Sequence, residues 1–176
     1  MLSVLPQNKH NTLALLSCSR KVILIMTPSA ILSLEDSNKR LPLVRVIARD
    51  AIKSTRTIES YRQEMRELEE AIATADQTAE SSVNASEFDV ARVHVLNKLR
   101  ETIQAEEATV SRCVEELNQV GARLVDPASG LVEFESTLDG RNVSLSWQFD
   151  EPEIAHWRSP EEERSTRHPL QPSHQI

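Results

Sequence analysis

The chain has 176 residues, 39% of them hydrophobic and 27% charged, a length that favours one domain with an extension at each end. A formal net charge of −7, with Lys and Arg interleaved among acids, argues against nucleic acid as the main partner, and no apolar run of about 18 residues is present to span a membrane. An aromatic content of 3% and only three glycines argue against a turn-rich all-β fold and leave a core of Leu, Ile and Val, which suits packed helices.

Residues 1–25 differ from the rest. They carry Lys9, Arg20 and Lys21 but no acid, and all 27 acids follow Met26. The apolar pieces Leu13–Leu16 and Val22–Ile25 are split by Arg20 and Lys21, whereas a secretory signal needs an unbroken apolar centre behind its positive end. The expectation is a poorly ordered N-terminal extension, with Met26 as an alternative start. Cys18 and Cys113 have neither metal-ligand spacing nor the numbers of a disulfide framework, which points to a reducing, cytoplasmic setting.

Residues 30–158 read as a single domain, a helical hairpin over 34–120 and a β cap over 121–158. Ser33-Leu34-Glu35-Asp36 has the form of a helix start, with Ser33 as N-cap and acids in the first turn. Pro42 lacks a backbone N–H, so a short helix is expected to break near Leu41-Pro42 and a long one to begin there. Val44, Ile47, Ala51, Ser54, Ile58, Tyr61, Met65, Leu68, Ile72 and Ala75 follow at alternating three- and four-residue steps, a coiled-coil-like seam about 50 Å long. Thr74 to Ser86 lacks periodicity and reads as the hairpin tip, with Ser86 as the second N-cap. Leu96, Leu99, Ile103, Glu106, Val110, Cys113, Leu117 and Val120 form the second seam, which should stop at Gly121. Cys113 reads as a small buried hydrophobe. Pairing about a tip near residue 81 would set Glu106 beside residues 54–56. Ala48, Ile52, Val93 and Val95 widen the apolar stripe beyond a two-helix seam, so a second copy is expected to cover it as a homodimer.

Beyond Gly121 the pattern changes. Asp126-Pro127-Ala128-Ser129-Gly130 is a turn, and Leu131–Glu135 alternates with period two. Asp139-Gly140 is a hairpin turn, and Val143, Leu145, Trp147 and Phe149 alternate with Ser144, Ser146 and Gln148. The result is an α+β chain whose mainly helical body carries a meander of two or three antiparallel strands, one face apolar and packed on the helices.

The closing block resembles an uncharacterised bacterial and archaeal family, domain of unknown function 2203. The residues that carry the likeness are Asp126-Pro127, Gly130-Leu131-Val132, Phe134, Asp139-Gly140-Arg141, Leu145, Trp147, Glu151, Ile154 and Trp157, behind a helix-opening phrase at Ser33–Val44. The resemblance covers most of residues 30–170 and implies a fold and a shared constellation, not a reaction. Where the family usually has Cys, Gly and His, this chain has Ser146, Asp150 and Arg158, so an activity carried by those groups would be absent here.

Ser159 to Ile176 is expected to be an extended or disordered tail, with His168 and His174 too isolated to ligate a metal and Arg167 able to fold back onto Glu151 or Asp126. No nucleophile–base–orienter set and no cofactor motif is present. The leading expectation is a non-catalytic oligomeric protein with a possible protein partner. The alternative is a small-molecule-binding protein or enzyme with its site on Asp126, Trp147, Glu151, Trp157 and Arg167, two rings lining a pocket while the charges orient a polar ligand.

Overall fold

The structure, a computed structural model, describes residues 31–78 and 85–171. The 1–25 extension, Cys18, residues 79–84 of the expected tip and His174 lie outside the described residues. Two helices, α1 (Leu34–Thr78) and α2 (Ala85–Gln119), precede five strands: β1 (Ala122–Asp126), β2 (Leu131–Leu138), β3 (Arg141–Trp147), β4 (His156–Arg158) and β5 (His168–Pro169). The strands form one antiparallel sheet in chain order. The meander expected at two or three strands thus has five. The fifth comes from the stretch expected as an extended or disordered tail.

Helix α1 starts as its sequence predicts. The Asp36 N–H donates to Ser33 Oγ at 3.1 Å, and the Ser33 hydroxyl donates back to the Asp36 carboxylate at 2.8 Å. It does not break at Pro42, which lies inside one continuous 45-residue helix. Burial gives the reason. Ser37, Leu41, Val44, Ala48 and Ala51 lie on both sides of Pro42 and are all buried, while the Pro42 ring is on the exposed side. Packing an uninterrupted face outweighs the one hydrogen bond that proline removes. Helix α2 includes Ala85, one residue ahead of the expected start at Ser86.

The seam on α1 is buried from Val44 through Ile58 and half-buried at Tyr61, Met65, Leu68 and Ile72. On α2, Leu96, Leu99, Ile103, Cys113 and Leu117 are buried, and Glu106 and Val110 are half-buried. Arg62 pairs with Glu107 at 2.6 Å and Arg100 with Glu69 at 3.5 Å, so the two helices run past each other in opposite directions. That register puts Glu106 near residues 62–63 and not beside 54–56.

One core joins the base of both helices to the inner sheet face. Val44, Ala48, Leu117, Val132, Phe134, Leu145 and Trp147 all belong to it. Ala48 and Ile52, expected to need a second copy, are covered within the chain. Two contacts position the cap. Arg40 Nη1 donates to the Val120 carbonyl at 2.6 Å, satisfying the end of α2. The Leu32 N–H donates to the Glu135 carbonyl at 2.9 Å, and the Ser136 hydroxyl to the Leu32 carbonyl at 2.6 Å. Asp139 and Gly140 both adopt positive φ, 50° and 76°, as the two-residue turn between β2 and β3 requires.

Candidate functional site

The turn after β3, residues 148–154, is where the chemistry-bearing side chains collect. Helix α1 holds it from one side. Arg45 donates to the carbonyls of Phe149 (3.2 Å) and Glu151 (2.8 Å), with its guanidinium 5.1 Å from the Trp147 ring centroid. The Asn38 side-chain oxygen accepts from the Ile154 N–H at 2.9 Å. The turn also closes on itself, because Glu151 Oε2 accepts from the Gln148 N–H at 2.8 Å.

Arg167, immediately before β5, grips the same turn from the other side. Its Nη2 donates to Glu151 Oε2 at 2.7 Å, its Nε to the Ser146 hydroxyl at 3.0 Å and its Nη1 to Gln148 Oε1 at 3.3 Å. Burial alone would push the Glu151 carboxyl up, but the Arg167 and Gln148 hydrogen bonds outweigh it and hold the group below its ordinary value. His156 Nδ1 lies 3.3 Å from Glu151 Oε1, near enough to feel the charge but outside hydrogen-bond geometry.

The five residues expected to form the site make different contacts. Glu151 and Arg167 pair as the fold-back expectation has it. Trp147 is fully buried in the core, and its indole N–H donates to the Glu151 carbonyl at 3.0 Å. Trp157 is half-buried against the core, with its ring 5.0 Å from that of His168. Asp126 serves its own turn, accepting from the Ala128 N–H at 3.0 Å and from the N–H and hydroxyl of Ser129. The Ser129 hydroxyl is the main cause of its carboxyl lying below the usual value.

Two groups lie outside the residues expected to form the site. The first is Glu133, which meets Arg123 and Arg158 on the outer sheet face and is sealed there with Ser144 and Ser146. Alternation marks that face as polar, and therefore as solvent-facing. It is buried because the strap from Ser159 to Arg167 returns to it. Arg158 Nη1 donates to the carbonyls of Ser159 (3.0 Å) and Glu162 (2.8 Å).

The second group is a row of cations on α1. Arg45, Arg49, Lys53 and Arg56 recur at the same three- and four-residue steps as the seam, on a neighbouring face. That spacing could have revealed them, although Asp50 interrupts the row in sequence. Arg49, Lys53 and Arg56 line a cleft of about 560 Å³ opposite the 128–129 and 148–150 turns. Among the described residues no three His, Cys, Asp or Glu side chains are grouped to hold a metal ion, and no helix is long and apolar enough to cross a membrane.

The family whose model matches the chain is described as an uncharacterized conserved protein (DUF2203), and the match covers residues 31–170. No curated protein and no solved structure matches.

Proposed function

We propose, for a chain that belongs to the DUF2203 family of uncharacterized conserved proteins, a non-catalytic role as an oligomeric interaction protein. Its working element is a coiled-coil-like helical hairpin, and its β cap is the clamp that holds the hairpin's base as part of one domain. The observation that carries this reading is the change in burial along one seam. Val44, Ile47, Ala51 and Ile58 are buried at or near the cap, whereas Tyr61, Met65, Leu68 and Ile72 reach only half-burial beyond it. The same repeat continues where, among the described residues, no third layer covers it, and Val90 and Val93 on α2 stand 71% and 55% exposed near that end.

A second copy of the chain is the occupant that fits. Two hairpins packed in opposite directions present like seams to one another and close a four-helix bundle with two-fold symmetry. The satisfied state of the cap side chains supports a non-catalytic role. Glu151, Arg167 and Asp126 direct their polar atoms into the protein's own turns, and Trp147 offers no open ring face. Cys113 is a buried free thiol, in keeping with a cytoplasmic setting.

Light scattering coupled to size-exclusion chromatography tests the reading. A mass of twice the 19.8 kDa chain at micromolar concentration, lost on Met65→Glu/Leu68→Glu, is the expected result. A single-chain mass at that concentration overturns it.

A further inference from the structure

The cleft between α1 and the cap concentrates positive charge in a chain whose formal net charge is −7. Arg49, Lys53 and Arg56 stand against one carboxylate, Asp150, a net of two positive charges. Among the described residues Lys53 and Arg56 form no ion pair, unlike Arg62 and Arg100 further along the helices. Their side chains are exposed, while Ile52 beneath them is buried and the Phe149 ring is half-buried beside Arg49, whose guanidinium lies 6.0 Å from the ring centroid. The volume of about 560 Å³ is in the range of small-molecule sites.

We infer that this cleft binds a small organic phosphate monoester, its head on Lys53 and Arg56 and its apolar or aromatic body on Phe149 and Ile52. A monoester carries close to two negative charges at neutral pH, which the local excess of two cations balances, whereas a carboxylate would leave one cation uncompensated. Arg56 offers the planar fork that takes two phosphate oxygens, and Lys53 a point charge beside it.

The walls are already held in place. Arg167 donates to Gln148 Oε1, which leaves the amide nitrogen as the donor end of that lining residue. Asp126 fixes the Ala128–Ser129 turn opposite. A site whose walls need no ordering spends less of its interaction energy on binding. Lys53 and Arg56 are off the seam positions Ala51, Ser54 and Ile58, so the cleft stands independently of dimerisation.

Backbone amide chemical shifts of the full chain, titrated with phenyl phosphate and separately with inorganic phosphate, test the inference. Phenyl phosphate is expected to give saturable shifts at Lys53–Thr57, Ala128–Ser129 and Phe149, with an affinity at least about tenfold above that of inorganic phosphate. Lys53→Gln/Arg56→Gln is expected to weaken it by at least about tenfold, with unchanged melting and oligomeric mass, and Arg66→Gln further along α1 to leave it unaltered. No saturable shift up to about 10 mM, equal affinity for the two probes, or equal loss in Arg66→Gln overturns it.

Discussion

The Arg158 guanidinium meets the Glu133 carboxylate edge to edge, Nε donating to Oε1 at 2.9 Å and Nη2 to Oε2 at 3.0 Å, with both side chains almost sealed from water. The contact joins β2 to β4 across the outer sheet face. Removing one partner leaves the other charge buried, which is costlier than never having had the pair. Arg158→Ala, which leaves Glu133 buried with only the more exposed Arg123 beside it, is expected to destabilise the fold by up to about 3–5 kcal/mol, read from the urea midpoint. Glu133→Leu/Arg158→Met, which removes both charges, should recover most of that loss.

Acid should weaken the same contact. Burial alone would raise the Glu133 carboxyl, but the hydrogen bonds and charges of Arg158 and Arg123 outweigh it and hold the group below its ordinary value. A carboxyl whose folded value is depressed stabilises fully above its unfolded value, and the contribution is lost as pH falls through the folded one. Glu151 and Asp126 have the same sign. The melting temperature is therefore expected to fall steadily below about pH 4, with a shallower slope in Glu133→Gln.

Gly130 brings the cap close against Ile52 of α1. A Cβ there would stand 2.7 Å from Ile52 Cδ1 and 2.9 Å from Phe149 Cβ, at a φ of +69°. At Gly140, φ is +76° but nothing lies within 4 Å. Gly140→Ala should cost only the left-handed strain, about 1–2 kcal/mol. Gly130→Ala should cost clearly more, because Phe149 Cβ is tied to the backbone and cannot swing away. Parallel urea titrations of the two variants check the difference.

Pro42 lies in a helix interior with its ring on the exposed side. Pro42→Ala gives the Asn38 carbonyl a helical donor and relieves the ring's contact with that turn. The expected result is a gain of about 1–3 kcal/mol, the upper end reduced by the freer unfolded chain. An unchanged or lower melting temperature would show that α1 already accommodates proline at this position.

Much of the fold was legible because its signals are local. Ser33 caps α1, the seam spacing on both helices marks residues that are buried or half-buried, and Asp139-Gly140 makes the β2–β3 turn. The five site residues were legible only as a composition. Glu151 and Arg167 do meet, but they are 16 residues apart with no periodic pattern between them. The cationic row on α1 was obscured because linear charge mixing is not spatial mixing. A helix sorts residues by angle, so the one intervening acid, Asp50, leaves that face.

By itself, then, the sequence determined caps, periods and turns, since each depends on atoms within a few residues of one another. It also marked the chain as α+β. Tertiary structure decided that α1 passes through Pro42, that the sheet has five strands, and that Glu133, Ser144 and Ser146 on its polar face are buried. The physical reason is common to all three. Each depends on covering a surface with residues distant in sequence: Arg158 lies 25 positions from Glu133, and Arg167 lies 21 from Ser146. Alternation reports which face of a strand is polar, but only the returning strap decides whether that face meets water.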